Sequence, residues 1–397
     1  MHKTVITLLS LISIFFSIIS SSLFADKSDD TLVIAFKREI TNLDYHYGTK
    51  TEYLILADMI DDSLFYVEND NLSYVPSLAS DYKVVNDVTL DVNLKKGVKF
   101  HDGAEMTADD VVYTYNFIIK NDKNRRHTKL ASWLKNIEKT GPYSVRFNLK
   151  EPYANLYNDL YRIKIRKNGI MGTEGNWDDN AQANSLIGVG PYKVVSFDPG
   201  VEVVLERNEE YFDGPKGKPA IKNMIVRSIP DMGTQQAELM SGGIHWMYNV
   251  KKDVGESMAK NDRINYQLGP SLRIGFLVLD AAGFTGEGHP ITDVRVRRAL
   301  NHAINRESIA KNLIGGPANV VHTACNPVVF GCFQDVTKYE YNPEKAIALL
   351  TEAGYPSGFE LELWSYRDKE AAQAIVSDWG KVGIKVNLKH GKIAGLN

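Results

Sequence analysis

Residues 94–119 read LKKGVKFHDGAEMTADDVVYTYNFII, and the fold depends on how this stretch is read. Leu94 closes an alternating apolar run, and Lys95, Lys96 and Gly97 turn the chain. Val98 and Phe100 begin a second extended piece that breaks at His101-Asp102-Gly103, where glycine can supply the positive φ of a tight turn. Thr107 stands three residues before Asp110, the spacing of a capping box with Asp in place of the longer Glu. Val111, Val112, Tyr115, Ile118 and Ile119 then recur at helical spacing, which predicts one apolar helix face. Taken alone, the stretch describes an element of many α/β proteins.

Its wording narrows the choice. The order L-[KR]-x-G-V-x-F-x-D-G-x-x-x-[TS]-A-x-D-V resembles the signature of the extracytoplasmic solute-binding proteins of family 5, the peptide- and nickel-binding receptors of ABC importers. The resemblance continues in IGVGPY (187–192), where Val189 replaces a usual Thr or Ser, and in RNEEYFDGPKGKP (207–219). It returns in the TQQAELMSGGIH segment (234–245), where His245 replaces a usual Asp, and in DVRVRRALNHAINR (293–306). A last match is YNPEKAIALLTEAGYPSGF (341–359). In NLDYHY (42–47), Tyr45 stands where the family has Pro.

The resemblance implies an α/β fold, periplasmic binding protein-like type II, with several lobes, a hinge and a central ligand cleft. Its lobes fall at 26–50 with 185–270 (lobe I), 51–184 (an inserted lobe II) and 271–397 (lobe III). The match fades beyond about 388, where the family continues through strands and helices that complete the third lobe. Those carry the acidic residue that pairs with a peptide's amino terminus. The expectation is therefore a truncated or frame-shifted third lobe.

Working outward, length and charge agree with an ordinary multi-lobed globular protein. A chain of 397 residues exceeds what one core organises. A net charge of −3, with no block of five like charges, excludes the concentrated Lys/Arg surface that nucleic acid requires. Residues 1–25 read as a signal peptide: His2 and Lys3, an apolar run with interspersed serines, then small Ala25 at the cleavage position. No cysteine follows the run, so a soluble periplasmic protein is expected. Cys325 and Cys332 are the only cysteines, and in an oxidising compartment a local disulfide is the favoured pairing. A zinc pair with His322 would want further ligands.

The remaining elements read in order. Residues 32–36 are a buried strand, 53–66 a helix, 81–85 and 89–94 alternating strands, and 143–149 a further strand. A helix at 234–240 stops at Gly242-Gly243, and 273–280 (RIGFLVLD) reads as another buried strand. Helices follow at 294–304 with an apolar stripe, at 344–353 and at 370–381, with a strand at 361–364 between the last two and one from 382. Two glycines in IGVGPY look superficially like a phosphate loop, yet no Lys-Ser/Thr or helix start follows, so nucleotide binding is not expected.

The sequence has no nucleophile elbow, HExxH, Walker A or dinucleotide fingerprint, so it offers no catalytic candidate, and no cofactor is expected. Ligand contacts are sought among Tyr45, Tyr47, Trp246, Tyr248, Trp364 and Arg367: five aromatic side chains able to stack or hydrogen-bond, and a guanidinium for a carboxylate. Arg367 lies where dipeptide-binding members of the resembled family place such an arginine. Each aromatic could equally pack within the core. Nine scattered histidines without an i, i+4 helical pair disfavour direct metal coordination. The reading that results is a monomeric periplasmic receptor that binds di- or oligopeptides and delivers them to an inner-membrane ABC permease. Its rivals are the same fold holding a nickel complex, an opine or an oligosaccharide, and a periplasmic sensor or chaperone that binds peptides without transport.

Overall fold

The computed structural model describes residues 30–47, 51–120, 128–173, 176–178, 181–183, 186–284, 286 and 288–391. The proposed signal peptide and the last six residues lie outside them. The chain divides into two compact units, Met1–Tyr248 and Asn249–Asn397.

The first unit is built on two sheets with separate cores. One sheet has the order β1-β12-β11-β10, with β1 Thr31–Phe36, β10 Tyr192–Asp198, β11 Glu202–Arg207 and β12 Asn223–Ser228. β1 runs parallel to β12, placing Ile34 opposite Val226, and the other pairs are antiparallel. On its far side β1 receives the chain at 245–246. The His245 N–H donates to the Val33 carbonyl (2.8 Å) and the Ala35 N–H to the Trp246 carbonyl (3.0 Å). β1 is therefore flanked on both sides, which explains its continuous apolar run: Val33, Ile34, Ala35 and Phe36 are all buried. Helix α1 (Thr51–Ile60) packs on this sheet through Tyr53, Leu56, Ala57 and Ile60.

The second sheet has the order β4-β5-β7-β6, all antiparallel, from β4 Ala79–Asn86, β5 Thr89–Leu94, β6 Leu134–Gly141 and β7 Ser144–Leu149. Here the alternation seen in the sequence is the cause of the packing. Leu90, Val92 and Leu94 on β5, with Val145, Phe147 and Leu149 on β7, all turn to one buried face. Helix α2 (Ala108–Lys120) covers that face, burying Val111, Tyr115, Phe117 and Ile118; the Tyr115 ring meets Phe147 edge-on at 4.9 Å. Each such side chain contributes about 1.5–3 kcal/mol by leaving water.

The capping box at the start of α2 forms with the shorter acid: the Thr107 N–H donates to Asp110 Oδ2 at 2.7 Å. Gly97 and Gly103 take positive φ (75° and 87°), as the two turns require. Two short hairpins, β2 (Phe65–Val67) with β3 (Tyr74–Pro76) and β8 (Gly172–Thr173) with β9 (Asn176–Trp177), and helix α3 (Leu156–Arg162) complete this part. Helix α4 (Met232–Ser241) precedes the 245–248 segment and ends on Gly242 at φ 86°.

One expected helix is shorter than its pattern. The run 53–66 stays helical only to Ile60; Asp61 and Asp62 leave it to meet cations, and Phe65-Tyr66 enter β2. The apolar spacing continued across the break because Leu64 and Phe65 belong to the second core.

The second unit packs α6 (Val294–Ala303) on α8 (Pro343–Glu352), beside a parallel pair, β13 (Glu360–Ser365) and β14 (Lys385–His390), and helix α9 (Lys369–Gly380). Helices α5 (Lys252–Met258) and α7 (Arg306–Ile309) are short; α7 runs on as a wider turn to Gly315. Trp379, almost fully buried, donates from Nε1 to the Leu300 carbonyl at 3.0 Å. Cys325 and Cys332 form a disulfide with their Cα atoms 5.8 Å apart.

The expected buried strand at 273–280 is not one. It has no ladder partner among the described residues, and although Leu277 and Leu279 lean on the core, Phe276 is 69% and Val278 84% exposed. The composition is that of a two-sided strand, whereas only one side is covered.

Candidate functional site

Two of the six candidate ligand residues meet in the first unit. The Trp246 ring is stacked on Tyr248 (centroids 5.4 Å, planes 15° apart), and Tyr248 meets Phe36 edge-on at 5.9 Å. The Tyr248 hydroxyl donates to Glu52 Oε1 at 2.6 Å, and Glu52, in the first turn of α1, is 6% exposed. Trp246 is 43% exposed. The arrangement follows from local structure. The edge pairing of 245–246 with β1 fixes the backbone, so Trp246 and Tyr248, two apart in an extended segment, share a side. The result is an aromatic ledge at the end of β1, with an apolar inner ring, an acidic anchor and an outer ring open to solvent. Outside the carboxyl ends of strands is where open α/β sheets bind ligands.

Tyr45 is placed differently: it is 2% exposed and belongs to the core under the same sheet. Tyr47 ends the short helical turn Tyr45–Tyr47. Trp364 and Arg367 lie in the second unit. Trp364, half exposed on β13, donates from Nε1 to Glu362 Oε2 (3.2 Å), and the exposed Arg367 guanidinium lies 5.4 Å from the Tyr366 ring. Among the described residues no group of three His, Cys, Asp or Glu could hold a metal ion.

At the other end of α1 from Glu52 lies a polar network that no sequence pattern announced. Arg166, with no exposed side-chain surface, lies 2.6 Å from Asp61 Oδ1 through Nη1 and 3.0 Å from Asp44 Oδ1 through Nη2. His46 Nδ1 is 2.9 Å from the same Asp44 oxygen. Next to this set, Lys164 Nζ reaches Asp58 (2.6 Å), and Lys216 donates to the Asp58 and Asp61 carbonyls (2.7 Å each) and lies 3.0 Å from Asp62. The Tyr211 hydroxyl donates to the other Asp62 oxygen at 2.8 Å. The end of α1 thus offers Asp58, Asp61 and Asp62, and three cations from 164–166 and 216 close on them.

Burial pushes the Asp44 carboxyl up, but Arg166 and then His46 outweigh it and hold Asp44 well below the usual carboxylate range. Asp58 is likewise held down: burial opposes, and Lys164 and Lys216 prevail. For Tyr211, burial and then the neighbouring Asp62 charge push the phenol far up.

The glycines of IGVGPY sit against this network. A Cβ on Gly188 would lie 2.1 Å from the Ile60 carbonyl oxygen and 2.5 Å from Asp61 Oδ1; one on Gly190 would lie 2.4 Å from the Ile60 carbonyl carbon. The glycines serve close backbone approach, and the phosphate-loop likeness is incidental.

The chain resembles known proteins over most of its length. Residues 73–394 match the family described as bacterial extracellular solute-binding proteins, family 5 middle. The chain is 31% identical over 324 residues to the oligopeptide-binding protein AppA of Bacillus subtilis (strain 168), covering 80% of this chain and 55% of that one. It is 28% identical over 347 residues to the dipeptide-binding protein of Escherichia coli (strain K12), covering 79% and 63%. Among solved structures, the dipeptide-binding protein of Pseudoalteromonas sp. SM9913 in complex with Met-Leu superposes with a TM-score of 0.77 at 22% identity, over 92% of this chain and 76% of that one. The Bacillus subtilis AppA complex with a nonapeptide gives 0.69 at 28% identity, over 92% and 75%. The chain therefore has the fold of type II periplasmic binding proteins, and it spans 55% and 63% of the length of the two relatives named.

Proposed function

The chain belongs to the bacterial extracellular solute-binding proteins of family 5, and on that premise we propose that it is a peptide receptor of an ABC importer. It binds di- or oligopeptides outside the cytoplasmic membrane and hands them to a membrane permease. The observation that carries this reading is family membership shared with relatives named as oligopeptide- and dipeptide-binding proteins. The half-exposed Trp246 ring on its Tyr248 and Glu52 support is consistent with it, because an aromatic ledge offers sequence-tolerant contact to side chains of varied shape. Varied peptides are accommodated when main-chain hydrogen bonds hold the backbone and water fills the side-chain pockets. Trp246 and Tyr248 are the ligand contacts proposed in the first unit, and Trp364 and Arg367 those in the second. The family transports substrates, and no catalytic step is proposed.

Mass spectrometry of the native protein, purified without denaturation, tests the reading. Peptides of mixed sequence should be recovered, and equilibrium dialysis with a mixed dipeptide pool should show retention. Recovery of a nickel–histidine complex in place of peptide, the ligand with which NikZ of Campylobacter jejuni was solved, would move the ligand to another class. Retention of nothing would remove the receptor reading.

A further inference from the structure

His101, in the stretch that decided the fold, is held by the two-glycine crossover 87 residues away. The Gly188 N–H donates to His101 Nδ1 (3.2 Å), and His101 Nε2 lies 3.1 Å from the Gly190 carbonyl. The His101 N–H donates in turn to the Gly188 carbonyl at 2.9 Å. These contacts fix the tautomer. A nitrogen that accepts from an amide carries no proton, so Nδ1 is bare and Nε2 carries the hydrogen given to Gly190. Only the neutral ring satisfies both contacts, since a protonated imidazole has two donors and no acceptor.

The clamp sits where the chain crosses between the two cores of the first unit. Val189, between the glycines, shares the antiparallel-sheet core with Phe100, which precedes His101, while Leu186 and Tyr192 on either side belong to the β1-sheet core. The crossover is seated tightly: the Gly190 N–H donates to the Ile60 carbonyl (2.9 Å), and Asn208 Nδ2 donates to the Gly190 carbonyl (3.2 Å). With no room for a Cβ at either glycine, the crossover cannot shift toward α1 to accommodate an extra hydrogen on Nδ1.

We propose that His101 is an acid-sensitive latch between the two sheets of the first unit, closed when the ring is neutral and released when Nδ1 takes a proton. Protonation sets Nδ1–H against the Gly188 N–H, two donors face to face, and that contact must open. The charged groups facing the ring are Asp61 at the end of α1, Asp102 on the histidine's own turn and Lys193 at the start of β10. Asp102 is itself paired with Lys167, and Asp61 with Arg166. Burial is the largest influence and disfavours the charged ring; the Gly190 contact and Asp61 oppose it, and the outcome lies below the ordinary imidazole value. The latch therefore stays closed at neutral pH and yields in acid.

Hydrogen exchange of the Gly188 amide between about pH 7.5 and pH 5 reads the latch directly. In the native chain, protection corrected for the intrinsic rate should be constant at high pH. It should then fall about tenfold per pH unit once His101 titrates, while amides of the β5–β7 ladder keep theirs. His101→Gln offers an acceptor and a donor that do not titrate, so its Gly188 protection should be flat over the same range. Identical pH dependence in native protein and H101Q, or flat protection in both, would overturn the proposal. Should H101Q fail to fold, nitrogen-15 shifts of the native ring decide: an Nδ1–H tautomer at pH 7.5 contradicts the latch, and the Nε2–H tautomer with Gly188 protection lost on its titration supports it.

Discussion

Arg166 Nη1 lies 2.6 Å from Asp61 Oδ1, and neither side chain has any exposed surface. The pair joins a segment behind α3 to the end of α1, while the same guanidinium reaches Asp44 beyond β1. Removing one member of a buried pair costs far more than the pair contributes net, because it leaves the other charge unpaired in a low-dielectric interior. Arg166→Ala is expected to lower stability by about 3–5 kcal/mol. Urea unfolding checks this, and a loss below about 1 kcal/mol would show that water or rearrangement compensates.

The same network sets an acid limit. Asp44 is held well below the unfolded aspartate value of about 3.9. The unfolded chain therefore takes up the proton first as pH falls, so stability from this group is complete above about pH 4 and is lost below it. In Arg166→Ala the main attraction on Asp44 is gone, and the midpoint of acid unfolding should move to higher pH. An unmoved midpoint, followed by circular dichroism, would count against Arg166 as the cause.

Gly188→Ala puts a methyl group on the Ile60 carbonyl oxygen and on Asp61. Backbone contacts cannot relax as a flexible side chain does, so about 3 kcal/mol or more should be lost. Gly269→Ala, where nothing lies within 4 Å of the new Cβ, serves as the comparison and should change stability by less than about 0.5 kcal/mol. Equal effects in thermal melts would refute the close-approach reading.

At the ledge, on the peptide-receptor reading, Trp246→Ala should weaken peptide retention by about tenfold or more. It should lower the unfolding midpoint only modestly, since the ring is 43% exposed and its main contact among the described residues is the stack on Tyr248. Glu52→Gln keeps an acceptor for Tyr248 and should bind nearly as the native chain does. Glu52→Ala leaves the hydroxyl without that anchor and should fall between. Calorimetric titration with a dipeptide separates the three; equal affinity in all of them would exclude the ledge as a contact.

Phe276 and Val278 stand in open solvent on an extended segment whose other side is packed. Large exposed apolar surface promotes association. Phe276→Ser with Val278→Thr should reduce dye binding of the anilinonaphthalene type and light scattering at high concentration, with stability changed by less than about 0.5 kcal/mol. Undiminished dye binding would place the sticky surface elsewhere.

Much of the architecture is local and therefore legible. The period-two alternation in β5 and β7, the helical stripe of α2 and the continuous apolar β1 each state which face or faces will be buried, because side-chain direction follows backbone geometry. The LKKGVKFHDGAEMTADDV wording pointed to the family. Legibility failed where burial depends on remote partners. Leu64 and Phe65 extend the α1 pattern but serve another core, and 273–280 has the composition of a two-sided strand with one side covered.

For residues 94–119, the sequence by itself determined two turns, a capped helix and the resemblance to a family, because hydrogen-bond spacing and glycine conformation are set within a few residues. That His101 closes on Gly188 and Gly190, and that Arg166 meets Asp44 and Asp61 from far along the chain, was decided only by the tertiary structure. Charge pairing and tautomer choice depend on distance and burial in space, and sequence separation carries neither.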